Sequence, residues 1–496
     1  MTEQLTHPLS VTDLVRSIDP EHGVWIDGRG TAGSAGATFE VADPATTTTI
    51  ATVADGTADD ARRAVDSAAG ALSAWGATSP RARADVLHRA FGLMIERREV
   101  LAGLIAAENG KAMADARAEV SYAAEFFRWY AEECVRGAGE YSVAPAGGVR
   151  TVVTHRPIGV AALVTPWNFP AAMATRKIAP ALGAGCTVLL KPASETPLTA
   201  LAIAQILTEA GAPDGVVGVV PTSSASSVVT TWLEDERVAK LSFTGSTGVG
   251  KILLAQAAKR VISSSMELGG NAPLVVAADA DVDRAVAGAM LAKFRNGGQA
   301  CTAANRLYVH ADVVEEFTEK FGERVAALRV GPAQQESTEI GPLISAKALT
   351  GVTELVDAAV EAGARVTHRA ELPSDLEGHF YAPTVLRDVH ADSPLVQNEI
   401  FGPVAPIVTW SDDEEMLAQV NGTELGLSAY LFSDDLGWAM RIAERFEAGM
   451  VGLNRGLVSD PAAPFGGVKE SGLGREGGHE GIREYQEVQY LSVDWS

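Results

Sequence analysis

Across the first 135 residues, apolar and polar positions recur with a helical period, and three long amphipathic segments stand out. Asp59 and Asp60 lead into ARRAVDSAAGALSAW, where acidic side chains suit the positive end of a helix. Ser79 followed by Pro80 makes an N-cap and first-turn pair, which predicts one helix through RARADVLHRAFGLMIERREVLAGLIAAENG. The third segment, AEVSYAAEFFRWYAEEC, ends near Cys134, and Gly137 and Gly139 break it.

From about residue 151 the period changes. GVAALV (159–164) and CTVLLKP (186–192) read as buried strands, with further strands at GVVGVV (215–220) and AKLSFTG (239–245). Between them Thr196-Pro197 opens a helix through ALAIAQILTEA, which Gly211 and Pro213 close. Short strands alternating with helices predict βαβ units and a parallel sheet. A second α/β region is expected from about 268 to 475, and EVQYLSVDW at the end reads as a strand leaving the body of the domain. There are no internal repeats; TTTT (46–49) and TSSASS (222–227) are local loop composition.

A chain of 496 residues exceeds the roughly 250–300 residues that one hydrophobic core serves, so at least two domains are expected. Hydrophobic residues at 47% and charged residues at 21% describe an ordinary globular protein. With 40 basic against 63 acidic residues the net charge is −23, which argues against broad binding of nucleic acid or an anionic membrane. Local pockets for small anions stay open. The three cysteines, Cys134, Cys186 and Cys301, are too far apart for a disulfide framework and lack zinc-site spacing, so no metal is expected and a reducing compartment is favoured. The first twenty residues mix Glu3, Asp13, Arg16 and Asp19 with apolar positions, leaving no signal-peptide core. The apolar runs fall short of the roughly 18 residues of a membrane span, and the cytoplasm is the expected location.

Three blocks carry chemistry. FRNGGQACTAANRLYV (294–309) sets Cys301 in a Gly-rich loop after a helix, and such glycines permit close approach of backbone to a ligand. MELGGN (266–271) offers the carboxylate of Glu267 among small and apolar neighbours, which would raise its pKa by desolvation. VTPWNFP (164–170) supplies the amide of Asn168. Thiol, carboxylate base and amide are what covalent carbonyl chemistry requires: a nucleophile, a group that deprotonates water, and a donor for a developing oxyanion. Taken singly, Cys301 reads as a buried structural thiol and Glu267 as a solvated strand-end carboxylate.

Together the three blocks closely resemble the aldehyde dehydrogenase superfamily, over almost the whole chain. The resemblance implies an α/β fold with a Rossmann-type cofactor domain (1–137 and 158–267) and an α/β catalytic domain (268–475). A small β oligomerisation arm (138–157 and 476–496) would pair subunits into a homodimer or homotetramer. It also implies that Cys301 is the nucleophile, that its backbone N–H and Asn168 hold the oxyanion, and that Glu267 activates water to hydrolyse the thioester.

For the cofactor, the resemblance points to Thr165, Pro166, Trp167, Asn168 and Leu268. FTGSTGVGK (243–251) resembles the family's variant turn, with Gly245 and Ser246 on the pyrophosphate. NEIFGPV (398–404) resembles its nicotinamide-ribose clamp, with Glu399 on the hydroxyls and Phe401 by the ring. In KPASETP (191–197), Lys191 and Ser194 match the adenosine-ribose contacts. A Glu at the latter position would repel a 2′-phosphate, whereas Ser194 tolerates it, so NADP is expected and NAD remains open. Glu195 is expected to point elsewhere.

For the substrate, Arg176, Arg295 and Ser459 resemble the groups by which the succinate-semialdehyde branch grips a distal carboxylate, a task suited to guanidinium. APFGGVKESGLGREGG (463–478) resembles the family's closing segment at the substrate mouth, and Ala303 excludes a switch disulfide through that position. The implied reaction is NAD(P)-dependent oxidation of succinate semialdehyde to succinate through a thiohemiacetal and a thioester. The alternatives are a glutarate-semialdehyde or general aliphatic aldehyde dehydrogenase, and a non-catalytic relative of the fold. A P-loop nucleotide hydrolase is a further rival, using Gly245–Lys251, although Ile252 stands where Ser or Thr should hold magnesium.

Overall fold

Val160–Val164 (β1) and Thr187–Lys191 (β2) are buried at every position, as strands covered on both faces must be. With Val217–Val219 (β3), Val238–Thr244 (β4) and Ser263–Glu267 (β5) they form the parallel centre of an eight-stranded sheet. The spatial order is 3-2-1-4-5, so the direction of winding reverses between β1 and β4. A crevice outside the carboxyl ends of the strands at such a switch point is where α/β sheets bind ligands. The computed structural model describes residues 11–494. The expected lack of a signal core rests partly on residues 1–10, and the expected final strand includes Trp495; both lie outside the described residues.

Immediately beyond β5, Leu268–Asn271 carry the chain into a second sheet at Ala272–Val276 (β6). Ala304–His310 (β7), Arg365–Arg369 (β8), Thr384–Arg387 (β9), Val404–Trp410 (β10), Ser428–Phe432 (β11) and Met450–Leu453 (β12) complete it. Its order is 8-9-10-7-6-11-12, parallel except where β8 meets β9. The link between β5 and β6 passes so close to the thiol loop that a Cβ on Gly270 would sit 2.2 Å from the Cys301 carbonyl oxygen. Only glycine fits there.

The helices follow their sequence signals with one difference. Ala58–Ala77 (α1) is capped by Thr57, whose hydroxyl accepts from Asp59 and Asp60 while Asp60 closes the capping box. Ser79 caps Pro80–Glu96 (α2) as expected, but the single helix predicted to residue 110 is two. Arg97 leaves the helical region (φ −96°, ψ 17°), its side chain pairs with Glu209, and Arg98–Asn109 (α3) follows as a separate helix. Met113–Glu133 (α4) packs against Pro170–Ala184 (α5), which is buried at all 15 positions.

Gln486–Val493 pairs antiparallel with Arg150–Pro157, and that strand with Glu140–Val143, making a separate three-stranded sheet. Sequence periodicity did not reveal the short N-terminal strands Val24–Ile26, Arg29–Thr31, Thr38–Ala42 and Thr49–Ala54. Runs of three to six residues broken by Gly and Thr are too short to display a period. Gly472–Leu473 crosses back to pair with β5, so the closing segment touches the strand that carries Glu267. Among the described residues no helix is long and apolar enough to cross a membrane.

Candidate active site

Val282–Phe294 (α6) ends in a tight turn, Arg295–Gly298, in which Asn296 (φ 54°, ψ 37°) and Gly297 (φ 60°, ψ 25°) adopt left-handed backbone. This reversal brings Cys301 to the mouth of the switch-point crevice. Its Sγ donates to Glu267 Oε1 at 3.2 Å, and Glu267, the last residue of β5, is 2% exposed. Glu267 Oε2 accepts from Thr244 Oγ1 at 3.0 Å and lies 3.4 Å from Arg176 Nη1.

Burial raises the pKa of Glu267, with the Arg176 cation working against it. Burial, and then the charge of Glu267, hold the Cys301 thiol well above its ordinary range. Burial also pushes the other two thiols, Cys134 and Cys186, up to about 11. Acidity therefore does not distinguish Cys301. Its distinction is partial exposure and a carboxylate in hydrogen-bond reach, where Cys134 and Cys186 are buried.

Asn168 follows β1, and its Nδ2 donates one hydrogen to the carbonyl of Gln299 at 3.1 Å. The second amide hydrogen remains for an oxygen held next to Cys301. Cys301 and Asn168 border a cavity of about 230 Å³ whose lining also includes Pro166, Trp167, Gly245, Ser246, Leu268, Glu399 and Phe401. Ser246 is the N-cap of the helix Thr247–Ala258, yet its side chain makes no capping hydrogen bond. The first-turn N–H groups are thus available to an anion. Glu399 faces the same cavity, pushed by burial to a pKa of about 7, and accepts from the Gly270 N–H at 3.3 Å. Phe401 meets Trp167 edge to face at 5.4 Å. A carboxylate for sugar hydroxyls, a helix start for phosphate and an aromatic wall together fit a dinucleotide.

Behind the thiol lies a buried group of charges. Arg176 is 1% exposed, with Nη1 at 3.4 Å from Glu267 and 3.5 Å from Glu476, and its Nη2 donates to the Tyr122 hydroxyl at 2.6 Å. Lys177 bonds Glu476 at 2.5 Å and the Ser242 hydroxyl at 2.9 Å. Although burial works upward on Glu476, Lys177 and Arg176 hold its pKa below the usual carboxylate range. Carboxylates this deep are tolerated only with such partners.

Residues 31–491 match the model of the aldehyde dehydrogenase family. A succinate-semialdehyde dehydrogenase from Paenarthrobacter nicotinovorans is 51% identical over 90% of this chain and 98% of its own. A glutarate-semialdehyde dehydrogenase from Pseudomonas putida is 46% identical, covering 95% and 96%. The crystal structure of an E. coli NADP dependent enzyme superposes with a TM-score of 0.93 at 44% identity, covering 95% of this chain and 98% of that one. The chain belongs to the aldehyde dehydrogenase family. Its expected fold class, recognised from three short blocks, is that of its relatives.

Against the residues expected of an aldehyde dehydrogenase, the structure draws Cys301, Asn168 and the nicotinamide-side groups to one cavity, with Glu267 directly behind the thiol. Thr165 and Lys191 are buried beside it at the ends of β1 and β2, and Ser194 is half-buried in the loop beyond. Glu195 is exposed and accepts from the Ser194 hydroxyl at 3.2 Å, and its charge supports that of Lys191, whose pKa burial lowers. Arg176, a cation on the fully buried α5, needs internal counter-charges and finds them in Glu267 and Glu476. Its Nε, buried without a partner, is the donor it has left.

Arg295 is half-buried, 5.1 Å from the Phe169 ring centroid. Ser459 is half-buried in the loop whose Val458 packs with Cys301 against Leu427, Met450 and Phe465. The phosphate-binding lysine that a P-loop would need, Lys251, is 58% exposed and pairs at 2.7 Å with Glu470. Sequence reasoning missed Met173, Thr244 and Gly269 in the cavity wall, and Tyr122, Lys177 and Glu476 behind it. Lys177 beside Arg176, and the lone carboxylate in GREGG, were the available signals.

Proposed function

We propose that this aldehyde dehydrogenase oxidises succinate semialdehyde to succinate, with NADP as the preferred hydride acceptor and NAD as a possible one. The observation that carries the chemistry is the Cys301–Glu267 hydrogen bond of 3.2 Å at the mouth of a cavity shared with Asn168 and Glu399. The Cys301 thiol loses its proton to solvent as Sγ bonds to the aldehyde carbon. The oxyanion rests between the free Asn168 N–H and the Cys301 backbone N–H. A bound nicotinamide would supply the acceptor for the hydride that the thiohemiacetal expels. Glu267 then takes a proton from the water that attacks the thioester and returns it to the departing Cys301 thiolate as the acid is released.

The distal carboxylate is read from Arg295, Ser459 and the unpartnered Nε of Arg176, and from the names of the relatives. The cofactor preference rests on Ser194 beside Lys191 and on the E. coli NADP dependent enzyme. Thr165, Pro166, Trp167, Gly245, Ser246, Leu268, Glu399 and Phe401 complete the proposed cofactor site. The 46% identical glutarate-semialdehyde dehydrogenase keeps a substrate one carbon longer as the second reading. Steady-state rates across semialdehydes of increasing length, each with NADP and NAD, test both. A neutral aldehyde outperforming every acid-tailed one would overturn the substrate class.

The proposed division is a cofactor unit (1–137 and 158–267), a catalytic unit (268–475) and an arm (138–157 and 476–496). On the arm sheet Tyr141, Val143, Val488 and Tyr490 are 52–66% exposed, which supports pairing with a second copy in a homodimer or homotetramer. Three free cysteines, one of them a nucleophile, suit the reducing cytoplasm.

A further inference from the structure

The carbonyl oxygen of Asn168 accepts two hydrogen bonds, from Lys111 Nζ at 2.8 Å and from Asn296 Nδ2 at 2.9 Å. The same Asn296 amide donates to the carbonyl of Gln299 at 3.1 Å, the group that also receives the Asn168 side chain. Asn296 is 2% exposed, and its backbone N–H is fixed by Asp115 at 2.7 Å. Lys111 is in turn held by Glu119, whose other oxygen caps α5 through the N–H groups of Ala171 and Ala172. One side chain thus ties the loop bearing the oxyanion amide to the loop bearing the thiol.

We propose that Asn296 is a positioning residue for the oxyanion hole, with Lys111 as its partner on the Asn168 carbonyl. The inference rests on the assignment of Cys301 and Asn168 above. An oxyanion needs both donors in register at the moment of attack, and the two donors come from segments 133 residues apart in sequence (168 and 301). With the Asn168 and Gln299 carbonyls each doubly bonded, the Asn168 amide keeps one hydrogen on Gln299 and directs the other at the substrate's carbonyl oxygen. Without Asn296 the two loops are free to drift, and a displacement of about 1 Å in such a site costs on the order of 100-fold in rate.

Asn296→Gly is the appropriate variant, because glycine suits the positive φ and loses only the side chain. Asn296→Asp, which keeps the shape but has no donor, serves if the first unfolds. Two cofactor-free probes separate positioning from general damage. Iodoacetamide alkylates the thiol with no oxyanion, whereas hydrolysis of p-nitrophenyl acetate by Cys301 needs one. The expected result is ester hydrolysis and aldehyde oxidation lowered about 100-fold, with alkylation within about twofold of wild type and the KM for NADP unchanged. Alkylation falling in step with ester hydrolysis would make Asn296 a structural residue of the loop. Ester hydrolysis at the wild-type rate would also overturn the proposal. Cys301→Ala, assayed alongside, distinguishes the two levels of failure: if it retains both activities, the assignment of the nucleophile is wrong and this inference falls with it.

Discussion

At the thiol end of the cavity, Glu267, Arg176, Lys177 and Glu476 have side chains 1–10% exposed, and each charge has a charged or hydrogen-bonding partner. At the loop after β2, Ser194 is half-buried, Glu195 is exposed, and their one hydrogen bond is to each other at 3.2 Å. The first region is a low-dielectric network in which removing one member strands the rest. In the second, solvent screens every change. On the proposed roles, chemistry is concentrated where substitutions are costly, and cofactor preference where they are cheap.

The largest effect should come from Cys301→Ala, which is expected to lower aldehyde oxidation on the order of 10⁴-fold or more, with NADP binding by fluorescence titration unchanged. Turnover near the wild-type rate would remove the thiol from the mechanism.

Glu267→Gln should slow steady-state turnover about 100-fold or more while leaving a rapid burst of reduced cofactor, because the amide cannot take a proton from water. The pH profile sharpens this. Burial raises the Glu267 pKa, and the base works only when ionised, so kcat should fall as the medium is acidified while still above the ordinary carboxylate range. In Glu267→Gln that acid limb should vanish; an unchanged limb would assign it to another group.

Arg176 and Arg295 should separate. Loss of a charge-assisted contact of roughly 1.5–3 kcal/mol predicts a drop on the order of 10- to 100-fold in kcat/KM for succinate semialdehyde in Arg295→Ala. A neutral aldehyde should be little affected. Arg176→Ala should impair both substrates, since Arg176 also faces Glu267 and Glu476. Equal behaviour of the two variants would erase the distinction between a substrate contact and a network member.

The smallest effects belong to the exposed loop. Ser194→Glu should shift preference toward NAD about tenfold through repulsion of the 2′-phosphate. Glu195→Gln should favour NADP by only about two- to fivefold, as expected of a screened charge. Ratios of kcat/KM for the two cofactors measure both, and a strong NAD preference in the wild-type enzyme would reverse the reading of this loop.

Much of the thiol end was legible in the sequence because its key residues sit at strand ends or in the loops beside them, in stretches with Gly, Pro or Asn. Cys301, Glu267 and Asn168 each lie in such a block. Tyr122, Lys177 and Glu476 were not legible, because they converge from α4, α5 and the closing segment and share no local pattern. Arg176 was visible as a candidate, yet its partners depended on α5 being buried all round, which AAMATRKIAPALGA with its Arg-Lys pair does not advertise. The parallel strands were legible from apolar runs, and the N-terminal strands were hidden by their shortness.

The central claim is that Cys301 carries the acyl group and Glu267 releases it. Its most direct test is to mix Glu267→Gln with NADP and succinate semialdehyde, quench in acid during the burst, and map the adduct by peptide mass spectrometry. The account predicts one succinyl group, attached as a thioester to the peptide containing Cys301, at close to one per active site. A burst with no adduct on that peptide, or an adduct on a different residue, would contradict it.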